Sequence, residues 1–74
     1  MSKLPIISGL EVVKRLEKIG FVAFRQKGSH IFLKHINDSR TTVVPIHKGK
    51  DLDRSLLRKI LRDLEISPNE FKKI

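Results

Sequence analysis

Seventy-four residues with no cysteine and only four aromatic side chains, all phenylalanine, suffice for one small domain built around Leu, Ile and Val. They exclude disulfides, thiolate metal sites and cysteine nucleophiles together. The formal net charge of +8, from sixteen basic and eight acidic residues, favours polyanionic partners through counterion release, nucleic acid ahead of acidic protein or membrane surface.

Ser8-Gly9-Leu10-Glu11 has the form of a capping box, so a helix is expected to start there. Val12, Val13, Leu16 and Ile19 recur at helical spacing, Lys14, Arg15, Glu17 and Lys18 fill the other face, and Gly20 supplies a left-handed stop. Ile7 is placed to staple against Val12. From Phe21 the period changes, and Phe21 to Gln26 reads as a strand closed by a hairpin turn at Lys27-Gly28-Ser29. The returning strand runs from His30 to Ile36, with Phe32 and Ile36 sharing a face with His30 while Ile31 and Leu33 point the other way. Which face is inward stays open. Asn37-Asp38-Ser39-Arg40 is a polar turn, and Thr41 to Ile46 is a third strand whose Pro45 suits an edge or a strand end.

After the loop His47-Lys48-Gly49-Lys50, Asp51 or Asp53 caps a second helix whose apolar stripe is Leu56, Leu57, Ile60, Leu61 and Leu64. Arg54, Arg58 and Arg62 follow on a neighbouring face that reads as solvated. Ser67-Pro68-Asn69-Glu70 repeats the capping-box logic and starts a short helix through Phe71 to Ile74. The expectation is an α+β fold of order α-β-β-β-α(α), a three-stranded antiparallel sheet with helices on one face, forming a single domain over residues 1–74. Met1-Ser2-Lys3-Leu4-Pro5 lacks the apolar stretch of a signal peptide, and no segment reaches membrane-spanning length, so a soluble cytoplasmic protein is expected.

Chemistry concentrates between Arg25 and Lys50, where Arg25, Lys27, Lys34, Arg40, Lys48 and Lys50 face one acid, Asp38, and where all three histidines lie. RNA carries its own nucleophile in the 2′-hydroxyl, so a cleaving site needs a base for that proton, positive charge near the phosphate and an acid for the leaving oxygen. An imidazole can be base or acid near neutral pH, and His30 is the candidate base. Gly28 and Ser29 offer backbone N–H groups and a hydroxyl to a phosphate, with Arg25, Lys27, Lys48 and Lys50 as its cationic surroundings. His35, five residues on, points to the opposite sheet face and shares no site with His30. His47 follows the third strand and can approach His30 as an acid or a phosphate contact, or remain a solvated loop residue. A three-histidine metal site lacks a short ligand pair and sits in a window that repels cations, so neither metal nor cofactor is expected. From these residues alone, simple RNA or DNA binding stands ahead of catalysis.

Leu16-Glu17-Lys18-Ile19-Gly20-Phe21, Arg25-Gln26-Lys27-Gly28-Ser29-His30, Val44-Pro45-Ile46-His47 and Leu56-Leu57-Arg58-Lys59-Ile60-Leu61 together resemble the HicA toxins of bacterial and archaeal toxin–antitoxin pairs, also described as YcfA-like proteins. The resemblance covers nearly the whole chain. It implies a fold similar to double-stranded-RNA-binding domains and an mRNA-cleaving endoribonuclease that arrests growth by blocking translation, its catalytic histidine falling on His30. It also implies a HicB antitoxin that binds the toxin, obstructs its site and represses the operon. Assembly with that antitoxin or with a second copy is left open. The family's Pro-x-His element falls on Pro45 and His47, with no catalytic role carried over. Two connections depart from the family pattern: Asn37-Asp38-Ser39-Arg40 replaces a tight glycine turn, and Glu65 stands where a glycine commonly follows the main C-terminal helix. The expected function is a metal-independent mRNA interferase, with a non-catalytic RNA-binding module as the alternative.

Overall fold

In the computed structural model, which describes residues 4–74, the first helix begins where its capping serine predicts. The Ser8 hydroxyl accepts from the Glu11 backbone N–H at 3.2 Å, and α1 runs Gly9–Lys18. Only half of the expected box forms, because the Glu11 carboxylate accepts instead from Arg15 Nε one turn later at 3.3 Å. Val12, Val13 and Leu16 are buried and Ile7 packs against the same core, while Ile19 is left exposed. Met1, Ser2 and Lys3, part of the stretch read above as lacking a signal peptide, lie outside the described residues.

Three antiparallel strands follow in the order β1-β2-β3, with β1 at Phe21–Lys27, β2 at His30–His35 and β3 at Thr41–Pro45. Ile36 and Ile46, expected to end the second and third strands, bond elsewhere: the Ile36 N–H donates to the Gly20 carbonyl and that of Ile46 to the Ser29 carbonyl. Gly20 is confined from two sides, by a φ of +103 and by the His35 ring, whose Nε2 would lie 2.8 Å from an added Cβ. Alternation along β2 resolves the inward face. Ile31 and Leu33 are buried, whereas His30 and Lys34 are exposed and Phe32 is half-buried.

In β1 the ladder carries one extra residue. Ala23 pairs with Leu33 and Arg25 with Phe32, so Phe24 has no partner of its own. Because side chains alternate with period two, this bulge returns Arg25 and Lys27 to the face of their partners Phe32 and His30. An unbulged β1 would turn both cations toward the helices.

The second helix, α2, spans Arg54–Asp63 and is capped by Asp53, which accepts from the Ser55 N–H at 2.7 Å. Asp51, the other candidate cap, is held in an isolated bridge with Ser8. Arg54, Arg58 and Arg62 are all exposed, as expected of a solvated face. Glu65 follows α2 with φ +59, while its N–H donates to Arg62 and that of Ile66 to Leu61, the paired bonds that close a helix through a left-handed residue. A full capping box at Ser67 and Glu70 then opens α3, Pro68–Lys72, which ends before Ile74.

All three helices contribute to one core with the inner sheet face: Val12 and Leu16 of α1, Leu57 and Leu61 of α2, and Phe71 of α3 meet Phe21, Leu33 and Val44. Burial of each such side chain stabilises the fold by about 1.5–3 kcal/mol. The architecture, α-β-β-β-α-α around an open antiparallel sheet, is that of the double-stranded-RNA-binding-domain-like fold. Among the described residues no helix is long and apolar enough to cross a membrane.

Candidate active site

His30 is the first residue of β2, where the Lys27-to-His30 hairpin closes, and it is exposed on the uncovered sheet face. Its cross-strand neighbours are Lys27 on β1 and Pro45 on β3. Among the described residues its imidazole makes no hydrogen bond or ion pair, so both ring nitrogens are open to a ligand. Gly28 turns the chain with φ +59 and has no atom within 4 Å of where a Cβ would stand. Its demand for glycine is therefore one of backbone conformation, and the residue is exposed. The Ser29 carbonyl accepts from the Ile46 N–H, which brings the chain leaving β3, and with it His47, to the hairpin end of the sheet.

The predicted residues thus fall into two groups. Lys27, Gly28, Ser29 and His30 form the hairpin, with Arg25 one pairing step along it. His47, Lys48 and Lys50 lie on the exposed loop after β3, where the Lys50 N–H donates to the His47 carbonyl at 3.0 Å. The Ile46 to Ser29 bond joins the groups through the backbone, and no side-chain bond links them.

His35 shows what a committed histidine looks like on the same strand. The Asn37 N–H donates to its Nδ1 at 3.1 Å and Nε2 lies 3.0 Å from the Ile19 carbonyl, so the neutral Nε2–H form satisfies both contacts. The ring also meets Phe21 edge-on at 4.9 Å. The two histidines point to opposite faces, as their odd spacing predicts.

Charge is sorted in the same way. None of the three strands contains an acid, and the open face carries Arg25, Lys27 and Lys34. Arg40, part of the basic window in sequence, is spent on structure: it donates to Asp38, and through Nη1 to the Leu64 carbonyl at 2.8 Å at the end of α2. That pairing holds the Asp38 carboxyl below its ordinary pKa. Three residues given no role from sequence share the His30 face: Phe24, Phe32 and Lys34. Period-two alternation already put all three there, since Phe24 lies an odd three residues from the buried Phe21, and the bulge re-aims only the residues after it.

A search of curated proteins finds none that matches the chain. The family model described as HicA toxin of bacterial toxin–antitoxin matches residues 9–66, a span that runs from α1 through the turn after α2 and includes the hairpin, His30 and the His47 loop. With that match over most of its length, and with the uncommitted histidine inside it, the chain belongs to the HicA toxin family of toxin–antitoxin systems.

Proposed function

We propose that this toxin is an endoribonuclease that cleaves mRNA and so arrests translation and growth, with His30 as its acid/base residue and residues 1–74 acting as one domain. The observation that carries the reading is the contrast between His30 and His35. One imidazole has both nitrogens free on a cationic face, and the other is locked on the helix side.

In the reaction, neutral His30 takes the proton of a ribose 2′-hydroxyl as the 2′-oxygen attacks the adjacent phosphorus. The new O2′–P bond forms, the P–O5′ bond breaks, and the products are a 2′,3′-cyclic phosphate and a 5′-hydroxyl. The leaving oxygen receives its proton from His47 or from solvent. Arg25, Lys27, Lys48, Lys50, the Ser29 hydroxyl and the N–H groups of the Gly28 turn stabilise charge on the phosphate. No metal enters this scheme. A HicB-like antitoxin is the protein partner, and it silences the toxin by covering the His30 face.

The test is RNA cleavage in the presence of chelator by the wild-type protein beside His30→Ala. The wild type should degrade RNA and leave DNA intact, since DNA lacks the nucleophile. His30→Ala should lose at least ~100-fold in rate with an unchanged circular dichroism spectrum and melting temperature, because the side chain is exposed. Cleavage that survives the substitution would remove His30 from the mechanism. RNA binding without turnover by the wild type would assign the non-catalytic alternative.

A further inference from the structure

We propose that Phe24 and Phe32 form a stacking platform for unpaired RNA bases, which makes single-stranded RNA, and not duplex, the substrate of the His30 site. The inference rests on the ribonuclease reading and deepens it.

The four phenylalanines divide evenly. Phe21 and Phe71 are fully buried, whereas Phe24 is 52% exposed and Phe32 half-buried, both on the open sheet face. Their ring centroids lie 6.3 Å apart, and Phe32 is two residues from His30, about 6.6 Å along the strand. Cations bracket the rings. The Arg25 guanidinium is 5.9 Å from the Phe32 centroid and Lys34 Nζ is 5.8 Å from that of Phe24.

A groove of about 430 Å³, a size that seats an organic ligand, runs from these two rings past Val43 on β3 to Leu56, Lys59 and Asp63 on α2, the last two paired with each other at 3.3 Å. Aromatic faces bracketed by cations, on a sheet without a carboxylate, match a polyanion that carries flat π-systems. In a duplex the base faces are stacked on one another and only their edges and the backbone are on offer, so a ring surface gains nothing from it. An unpaired base presents its face. Charge and a flat π-face recur together at every unpaired nucleotide, a repeat that an acidic protein surface does not offer.

The experiment measures binding of labelled RNA by fluorescence anisotropy to the His30→Ala protein, which separates affinity from cleavage. The probes are a single-stranded oligonucleotide, the same strand annealed to its complement, and the same strand with abasic positions. The single strand should bind about 10-fold more tightly than the other two. Adding Phe24→Ala should weaken single-strand binding ~10-fold and leave duplex binding unchanged. Phe24 is half exposed, so the variant should fold, and Phe24→Leu, which keeps apolar volume without a π-face, should behave like Phe24→Ala.

Equal affinity for single strand and duplex, or single-strand affinity unchanged by Phe24→Ala, would overturn the platform. So would a Phe24→Ala variant that keeps its full single-strand affinity while losing a purified HicB-like antitoxin, because Phe24 would then serve the antitoxin alone. Phe24-dependent single-strand binding by a wild-type protein that cleaves nothing would support the platform and sink the ribonuclease reading.

Discussion

Asp38 and Arg40 show how a turn without glycine is held. The Arg40 backbone N–H donates to the Asp38 carboxylate at 2.9 Å and its Nε at 3.0 Å, and the guanidinium stands 5.3 Å from the Phe21 ring centroid. Hydrogen bonds from Arg40 lower the carboxyl's pKa. A lowered folded-state pKa contributes stability that is complete above the unfolded value of about 4 and is lost as pH falls through the folded value. Asp38→Asn should therefore be less stable than the parent at pH 7 and lose less stability between about pH 5 and pH 2, as thermal unfolding at a series of pH values would read. Parallel curves for the two proteins would mean that the pair is neutral to stability. Glu70, whose pKa is lowered by its Ser67 hydrogen bonds, keeps some acid sensitivity in both. His30 was legible as the exposed candidate from its place after a glycine turn, but the commitment of His35 was not. Asn37 is only two residues on, but Ile19 meets the ring only once α1, β1 and β2 are assembled.

At the scale of elements, helix starts were readable because they depend on residues three apart, as at Ser67 and Glu70. Choosing Asp53 over Asp51 was not, since Asp51 is claimed by a pairing with Ser8 more than forty positions earlier. The bulge in β1 was invisible for a related reason. It is defined by the partners of Ala23 and Arg25 on β2, and nothing in Phe21 to Lys27 marks it. Glu65, a residue with a full side chain, holds a glycine-like turn, with φ +59 and a buried Ile66 behind it. A side chain there costs about 1–2 kcal/mol, partly offset by the lower freedom of the unfolded chain. Glu65→Gly should accordingly stabilise by about 0.5–1 kcal/mol, seen as a higher urea midpoint at constant slope. A lower midpoint would show that the glutamate makes up its strain elsewhere.

Across the whole molecule, the helices and the inner sheet face share one core while the outer face collects the candidate histidine, three cations and two phenylalanines. For Arg25 and Lys27 that placement comes down to a strand one residue longer than its ladder can pair, and such a strand is open to shortening. Excising Phe24 would join Ala23 directly to Arg25, two residues already paired on either side of the gap. The register would close, with Lys27 and His30 where they were. Excising Gln26 would instead shift Lys27 into a position whose side chain points toward the helices. The Phe24 deletion should thus melt within about 8 °C of the parent and keep its RNA cleavage products while losing discrimination between single strand and duplex. The Gln26 deletion should lose folding or activity outright. A Phe24 deletion that unfolds would show the extra residue to be part of the scaffold. One that folds would mark it as a removable insert, carried by the strand for what it presents.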